Sequence, residues 1–376
     1  MSSGPLPACY VNDHAWSQSF TVWIGSVRLM SFLSARSLRG AGECVMFNAC
    51  KCRAAARGVA LAVAILLLFP TVVNAQPLVS GLQGSAGSTV GPDGHLYVTE
   101  GATGTVQRIN PSTGAAELFT EGLPPWVIPG LGGAVDVAFI EETAYVLVTL
   151  INFEGEPSGL TNGIYRIDGP DSHTIIADLG AFNLANPPQT AFAIPTGVQW
   201  SLEVFRGGLL VSDGHLNRVL QVTQDGAVSI LRSFDNIVPT GMDVSGHTIY
   251  MARPGPTPHS ADDGQIVSFG PGTGEPDLVA SGAPLLLDVE FGRGRSLYAL
   301  SQGQWNGDFA GSPAVENDGT LWEVNNDASL RLIADGINLP NSVEIIGTSA
   351  FVVTLTGEVW RYDEISDAPF GHARGR

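Results

Sequence analysis

Residues 87–111 of the chain read GSTVGPDGHLYVTEGATGTVQRINP, and this stretch predicts the fold. It contains a short strand of small residues, a Pro-Asp-Gly turn at 92–94, an apolar strand at 96–98 and an alternating strand at 105–109. The turn is favoured because Pro presets its φ angle and Gly accepts a positive φ. The same order of strands and turns recurs five more times downstream. Repeats of about 40–50 residues with four strands each are typical of propeller blades, so the sequence predicts an all-β, six-bladed β-propeller with four-stranded blades.

The last repeat, at residues 342–363, lacks a fourth strand. The segment PLVSGL at residues 77–82 precedes the first repeat and resembles the fourth strands at 277–282 and 331–336. We therefore expect this N-terminal strand to close the last blade, which would leave no open junction in the ring. A β-sandwich or a β-helix would also explain short strands, but neither explains the displaced fourth strand. No linker-like stretch interrupts the repeats, so residues 76–376 are predicted to form one domain.

The segment 46–75 is typical of a signal peptide. Its short apolar run at 59–69 is followed by small residues that end at Ala75, and three basic residues come before it: Lys51, Arg53 and Arg57. Cleavage between Ala75 and Gln76 would yield a secreted or periplasmic protein. The alternative is a membrane anchor, but the apolar run is shorter than the roughly 20 residues that span a bilayer. Residues 1–45 do not resemble an export signal and are left unassigned.

The charge of the chain excludes some partners. Eighteen Lys and Arg stand against 36 Asp and Glu, which gives a net charge of −18 at pH 7. Phosphate binding needs a basic face, so the charge argues against nucleic acid and, after signal cleavage, against a membrane surface. All four cysteines precede Gln76, so the mature chain would have no disulfide and no thiolate nucleophile. We expect an acidic, exported monomer.

The long loops of the predicted blades all lie on one face. They join strands two and three within a blade, or strand four to the next blade, and include residues 121–133, 152–162, 180–196, 254–264 and 302–319. Long loops on a rigid scaffold commonly carry function, so this long-loop face is predicted to bind a small molecule, a glycan or a protein. The candidate ligand-binding residues on this face are Trp126, His215, Trp305 and Phe309. Gln199 on an inner strand and Asn341 in the last repeat are further candidates. The alternative is that each aromatic side chain only packs against its own loop.

Aligned inner strands share one polar position, occupied in turn by Ser88, Asp136, Gln199, Asp243, Asp288 and Glu344. Its four carboxylates are each flanked by apolar residues. Inner strands line the central channel of a propeller, where converging carboxylates repel each other and either take up protons or hold a cation. Oxygen ligands suit Ca²⁺ or Mg²⁺, and the candidate metal ligands are Asp136, Asp243, Asp288 and Glu344. The alternative is an acidic, water-filled channel whose carboxylates accept hydrogen bonds from backbone N–H groups of neighbouring blades.

The sequence contains no Gly-x-Ser-x-Gly elbow and no His-Glu-x-x-His motif. The first functional hypothesis is therefore a binding module rather than an enzyme. The second, which uses the channel carboxylates, is a divalent-metal-dependent lactonase or lyase.

The segments at 91–98 and 106–110 resemble the repeats of NHL-type, TolB-like and gluconolactonase-like six-bladed propellers. The last repeat, NSVEIIGTSAFVVTLTGEVWR at 341–361, resembles the ScyD/ScyE family of exported propellers, and the resemblance covers residues 77–365. It implies a six-bladed propeller but no defined reaction. The gluconolactonase-like enzymes use a Glu in the first blade, where this chain has Ser88, and a Pro-Asn-Gly, where Ser342 replaces the Gly. Streptogramin-lyase propellers use paired His and Glu, and no His lies on an inner strand here.

Overall fold

The strands are short because Gly, Pro, Asn and Asp interrupt the apolar runs and favour turns. The computed structural model describes residues 75–365, apart from 154–158, 190–192, 273 and 310. These residues belong to one compact unit, 68–376. They form 24 β-strands, one α-helix and one 3₁₀ turn. The predicted signal peptide up to residue 74 and the extension 1–45 lie outside the described residues.

Strand β1 and blades 1 to 3 lie within residues 75–233. Strand β1 comprises Ala75–Ser80. Blade 1 consists of β2 (Ser85–Val90), β3 (Leu96–Glu100), β4 (Thr105–Ile109) and β5 (Ala116–Thr120). Blade 2 consists of β6 (Gly133–Ile140), β7 (Thr143–Thr149), β8 (Gly163–Gly169) and β9 (Ser172–Asp178), and is followed by α1 (Leu179–Ala185). Blade 3 consists of β10 (Gln199–Phe205), β11 (Gly208–Asp213), β12 (Arg218–Val222) and β13 (Val228–Ser233).

Blades 4 to 6 repeat the arrangement. Blade 4 consists of β14 (Met242–Ser245), β15 (Thr248–Arg253), β16 (Gln265–Phe269) and β17 (Asp277–Ser281). Blade 5 consists of β18 (Leu286–Phe291), a 3₁₀ turn (Arg293–Arg295), β19 (Leu297–Ser301), β20 (Gly319–Val324) and β21 (Leu330–Ile337). Blade 6 contains β22 (Pro340–Ile346), β23 (Ser349–Thr354) and β24 (Glu358–Tyr362).

Each blade is a four-stranded antiparallel sheet, and the inner strands contact each other in a closed cycle: β2, β6, β10, β14, β18, β22 and back to β2. The prediction of a six-bladed, four-stranded propeller is confirmed. In the sixth sheet β1 lies antiparallel to β24, with Gln76 opposite Arg361 and Ser80 opposite Glu358. Among the described residues, no helix is long and apolar enough to cross a membrane.

The core is divided among the junctions between blades. Six clusters of buried apolar residues occupy these junctions, one for each pair of neighbouring blades. Between blades 2 and 3, for example, Leu147 and Ile164 pack against Leu202 and Val211. Fully burying one such side chain stabilises the fold by about 1.5–3 kcal/mol, so the ring depends on contacts between blades rather than on one central core.

Bulges interrupt the strand pairing at repeated places. The inner strands of five blades carry one, at β2, β6, β10, β18 and β22. A bulge adds a residue to one strand and changes which side chains face a given side. The inner bulges therefore decide which residues line the channel.

Candidate functional site

Two cavities lie one behind the other along the channel formed by the inner strands. The upper cavity, of about 230 Å³, lies at the first residues of these strands, on the side of the long loops. The lower cavity, of about 40 Å³, lies deeper, among the middle residues of the same strands. Val135, Trp200 and Asn341 line both, so the two cavities adjoin.

The upper cavity is mainly apolar, and none of its described lining residues is Asp, Glu, Lys or Arg. Its apolar lining includes Trp126, Leu131, Leu150, Trp200, Pro254, Leu285, Leu287, Pro313 and Leu355. Its polar lining consists of Ser85, Thr149, Gln199, Thr240, His259, Gln302, Ser312 and Asn341. A concave apolar surface with a few polar groups is typical of a small-molecule site.

Trp126, a predicted ligand-binding residue, lies in the loop between β5 and β6 and lines the upper cavity. Its backbone N–H donates to Gly101 O at 2.8 Å. Its ring packs against Gly84, where an added Cβ would lie only 2.4 Å from a ring carbon and the backbone has a φ of 66°. A side chain at position 84 would therefore displace the Trp126 ring.

Gln199, at the start of β10, also lines the upper cavity, but its amide is already hydrogen-bonded within the protein. Its Oε1 accepts from Thr149 Oγ1 at 2.7 Å, and its Nε2 donates to Thr196 O and Asp213 Oδ2. The Gln199 side chain is therefore held in place in the cavity wall and has little hydrogen-bonding capacity left for a ligand.

A buried polar network supports this wall. Asn183 donates from Nδ2 to Asp213 Oδ2 at 2.7 Å and accepts at Oδ1 from Arg218, so one amide bridges two buried charged groups. Asn183 is placed by helix α1, whose N-cap Asp178 accepts from Ala181 N. Burial raises the pKa of Asp213, and its hydrogen bonds and Arg218 oppose that shift. This helix was not predicted, and Asp178 was its only sequence signal.

Two further amides line the upper cavity. Gln302 donates to Pro340 O and accepts from Ala314 N, so it is largely satisfied. Asn341, a predicted ligand-binding residue, donates from Nδ2 to Ala86 O at 3.1 Å. The residue is 8% exposed, and no described residue donates a hydrogen bond to its Oδ1. Asn341 is therefore the amide with an acceptor available to a ligand.

Of the predicted aromatic residues in loop 302–319, Trp305 lies behind the upper cavity. Its Nε1 donates to Ser312 Oγ at 2.8 Å, and its ring packs edge-on against His259 at 5.7 Å. Ser312 and His259 themselves line the cavity. Burial lowers the pKa of His259, which keeps the ring neutral at pH 7. Phe309 is 61% exposed and does not line the cavity.

His215 lies apart from the upper cavity. Its Nε2 accepts from Ile194 N at 3.1 Å, and burial lowers its pKa. It is absent from the described lining of both cavities. The structure thus brings Trp126, Gln199 and Asn341 together and leaves His215 and Phe309 outside this group. Phe192, another loop aromatic, lies outside the described residues.

Three of the four proposed metal ligands bind backbone N–H groups in the channel. Asp136 accepts at Oδ1 from Val137 N at 2.9 Å and at Oδ2 from Leu202 N of blade 3 at 2.7 Å. The same pair of bonds recurs at Asp243, with Val244 and Phe291, and at Asp288, with Val289 and Val343. In each case one carboxylate ties the inner strands of neighbouring blades together. This arrangement matches the alternative considered from the sequence, an acidic channel that bonds to the backbone.

The carboxylates do not form one column at a single depth. Their depth in the channel follows from how far the paired residue lies from the end of the blade's second strand. Asp288 pairs one position before the end of β19, Asp136 two positions before the end of β7, and Asp243 three positions before the end of β15. Gln199 lies opposite the last residue of β11, at the cavity mouth. The bulges shift the register, so the sequence alignment placed residues of different depth side by side.

The register also identifies two channel acids that the alignment missed, Glu203 and Glu290. Four acids each pair with a residue that lies three positions before the end of the second strand of their own blade. These acids are Glu203, Asp243, Glu290 and Glu344. They form an acidic ring at one depth, contributed by blades 3 to 6. Period-2 alternation after each bulge was the only sequence signal for the two missed residues.

The channel carboxyl groups are buried close to one another, so their negative charges repel each other. Burial raises the pKa of Asp136, Glu203 and Glu344 well above the ordinary range, and the neighbouring carboxylates add to the shift. Glu290 behaves in the same way, and burial raises the pKa of Asp288 to about 7. No lining residue of the lower cavity in the described chain is Lys, Arg or His. Part of this charge must therefore be neutralised by protons or by a cation.

The donor geometry does not form a metal cage. Among the described residues, no three of His, Cys, Asp and Glu converge closely enough to hold a metal ion. Both oxygens of Asp136, Asp243 and Asp288 already accept backbone hydrogen bonds, whereas Ca²⁺ takes six to eight oxygen ligands around one point. Calcium or magnesium binding by these residues stays a prediction.

The fold is similar to that of several solved propellers. The PQQ-bound aldose sugar dehydrogenase of Streptomyces coelicolor aligns with a TM-score of 0.53 and 13% identity, over 77% of this chain and 96% of that one. A gluconolactonase of Xanthomonas campestris aligns with a TM-score of 0.52 and 13% identity, over 77% and 89% of the two chains. No family model and no curated protein matches the chain. Because one fold carries a dehydrogenase and a lactonase, this likeness shows the fold and not the chemistry.

Proposed function

We propose that this chain is a binding protein that takes up a small organic molecule in the upper cavity on its long-loop face. The observation that carries the proposal is the uncharged lining of this cavity, about 230 Å³ in volume and bounded by Trp126 and Trp200. A cavity of about 150 Å³ is known to hold benzene, so this volume suits one or two fused rings. Tryptophan rings stack on planar ligands at centroid separations of about 4.5–7 Å.

The polar groups of the cavity favour an aromatic ligand over a sugar. A sugar presents a hydroxyl on most carbons and needs partners for them in a buried site. Here the amides of Gln199 and Gln302 are engaged within the protein, which leaves the Asn341 acceptor and the ring of His259. A glycan or a protein segment on the long-loop face is the competing occupant, and the titration with D-glucose below tests the sugar.

The lining of the upper cavity also favours binding over catalysis. A general acid or base must lie within hydrogen-bond reach of the reacting group. His259 is the only titratable side chain among the described lining residues, and it is neutral at pH 7. No carboxylate, lysine or cysteine in the described lining stands beside it as a nucleophile or as a residue that orients the imidazole.

A divalent-metal-dependent lactonase or lyase is the second candidate. The feature that favours it is the row of carboxylates along the lower cavity, which adjoins the upper cavity. It requires Asp136, Asp243, Asp288 or Glu344 to bind metal in place of their present partners. Calorimetric titration of chelator-treated protein with Ca²⁺ and Mg²⁺, followed by a lactone hydrolysis assay, tests it. Stoichiometric binding that Asp243→Ala abolishes would support this candidate, and its absence would remove it.

Export of the chain and its place in the ScyD/ScyE family belong to the same proposal. The family resemblance is supported by residues 341–361, which form β22 to β24. Cleavage after Ala75 is compatible with the fold, because it would remove a single residue from β1 and keep the pairs from Gln76 to Ser80. Mass spectrometry of the exported protein should find Gln76 at the mature N-terminus, and retention of residues 46–75 would contradict this.

Calorimetric titration of residues 76–376 with 2-naphthylmethanol and with D-glucose tests the binding proposal. We expect binding of the naphthyl compound and no detectable binding of glucose. Trp126→Phe should weaken binding about fivefold, because roughly 1 kcal/mol of stacking is lost. The matched control is Trp322→Phe on β20, which lies between blades 4 and 5 and away from the cavity. Equal effects of the two substitutions, or a preference for glucose, would contradict the proposal.

A further inference from the structure

The lower cavity gives the proposed site a chemical preference that the upper cavity alone does not show. The upper cavity has no charged lining residue, whereas five carboxylates line the lower one: Asp136, Glu203, Asp288, Glu290 and Glu344. No lysine or arginine of the described chain lines either cavity. The negative charge below the aromatic walls is therefore not compensated by the protein itself.

We infer that the ligand is an organic cation whose planar ring occupies the upper cavity and whose ammonium group points toward Asp136 and Asp288 in the lower cavity. This inference rests on the proposed binding function and names its ligand class.

The positions of the two aspartates suit this orientation. By strand register they are the acids closest to the upper cavity, and each directly follows a residue that lines it, Val135 and Leu287 respectively. Successive strand residues are about 3.3 Å apart. A spacer of one or two carbons between the ring and the nitrogen therefore spans the step from the upper lining to the carboxylates.

Asn341 supplies an independent feature at the junction of the cavities. It lines both, it is 8% exposed, and its Oδ1 has no hydrogen-bond donor among the described residues. This oxygen is open to the cavities, so a ligand that reaches their junction can donate a hydrogen bond to it. An ammonium group has three donors and no acceptor, which matches one amide oxygen and two carboxylates, because each carboxylate oxygen that accepts a backbone N–H group keeps a second lone pair.

Three probes with the same ring and different charge test the inference: 2-naphthylmethylamine, 2-naphthylmethanol and 2-naphthoate. Calorimetric titration of residues 76–376 at pH 7.5 should show the amine binding at least tenfold more tightly than the alcohol. The carboxylate should bind more weakly than both, because the lower cavity repels it. Increasing the salt concentration should weaken binding of the amine more than binding of the alcohol.

The variants separate this inference from the proposed function. Asp288→Asn should reduce the affinity for the amine to that for the alcohol and leave the alcohol unaffected. Asp136→Asn serves the same purpose if Asp288→Asn does not fold, and Asp277→Asn on the exposed strand β17 is the control. If the amine binds no better than the alcohol, or Asp288→Asn weakens both alike, the cation preference is overturned while the binding function stands. If none of the probes binds, the proposed function falls as well.

Discussion

The carboxylates of the channel fall into two classes according to their hydrogen bonds. Asp136, Asp243 and Asp288 each accept two backbone N–H groups, one of them from a neighbouring blade. Glu290 and Glu344 accept none from the described residues, although burial raises the pKa of both. The first class connects blades, whereas the second adds charge without a compensating bond. These two classes should respond in opposite ways to substitution.

The aspartates are expected to stabilise the ring through their acceptor atoms. Asp136→Ala leaves the buried N–H groups of Val137 and Leu202 without a partner, whereas Asp136→Asn retains one acceptor oxygen. Both substitutions remove the charge, so their difference isolates the hydrogen bond. We expect the alanine variant to be less stable than the asparagine variant by about 1–3 kcal/mol in chemical denaturation at pH 7. Equal stability of the two variants would show that the bonds do not tie the blades.

The glutamates are expected to destabilise the folded protein at high pH. Their pKa is higher in the folded state than in the unfolded state, where it is about 4.3. Above pH 4 the unfolded state therefore binds fewer protons, so the free energy of unfolding falls as the pH rises through the folded-state pKa values. Asp288, with a pKa of about 7, contributes to this loss between pH 4 and pH 7.

Glu290→Gln and Glu344→Gln should relieve this loss. At pH 8 each should raise the free energy of unfolding by about 1 kcal/mol, which corresponds to a rise in Tm of roughly 2–4 °C in a domain of this size. At pH 4 wild type and variants should be similar, since the wild-type glutamates are then mostly protonated in the folded and the unfolded state. Thermal denaturation between pH 4 and pH 8 measures this, with the exposed Asp277→Asn as control. A lower Tm of both glutamine variants at pH 8 would contradict the account.

At the scale of elements, the bulges explain both the regularity of the blades and their local differences. Every outer strand has a bulge at an equivalent place, next to an exposed aliphatic residue in five blades: Leu118, Ile175, Ile230, Leu278 and Leu332. In blade 6 the bulge lies between Pro77 and Val79 of β1. Bulges twist an exposed edge strand so that it cannot pair with a strand of another molecule. They therefore protect the rim of the ring from edge-to-edge association.

Strand β1 lends itself to a direct test of ring closure. Leu78, Val79 and Leu82 are partly buried against the cluster between blades 1 and 6. Deleting residues 76–82 would expose this cluster and the edge of β24. We expect the deletion to lower the free energy of unfolding by roughly 2–4 kcal/mol, the value for three half-buried aliphatic side chains.

Urea denaturation compares the deletion with the exposed point variants Gln76→Ala and Ser80→Ala, which should change stability by less than about 0.5 kcal/mol. A deletion variant as stable as these controls would show that β1 does not contribute to closing the ring.

At the scale of the whole molecule, the repeats of the sequence predicted the architecture because each blade uses the same local chemistry. The Pro-Asp-Gly turn, the apolar second strand and the alternating third strand are properties of neighbouring residues, and they determine blade number and strand order. Trp126 was predicted from the length of its loop, and Asn341 from the likeness of Pro340-Asn341 to the Pro-Asn-Gly of gluconolactonase-like enzymes; both line the upper cavity.

The details of the channel could not be predicted in this way. A bulge shifts the register by one residue, and its position depends on contacts between blades that a repeat alignment does not contain. The sequence therefore missed Glu203 and Glu290, and it placed Gln199 at the depth of Asp243. The bridge from Asp213 through Asn183 to Arg218 was missed for a similar reason, because it joins residues up to 35 positions apart.

A crystal structure of residues 76–376 soaked with 2-naphthylmethanol would show whether the upper cavity is a site for a planar organic molecule. We expect the naphthyl ring to lie in the upper cavity, in contact with Trp126 and Trp200, with the hydroxyl group of the probe near Asn341. A ring bound at the outer rim of the propeller, or an upper cavity that contains only water while the probe binds elsewhere, would contradict this expectation.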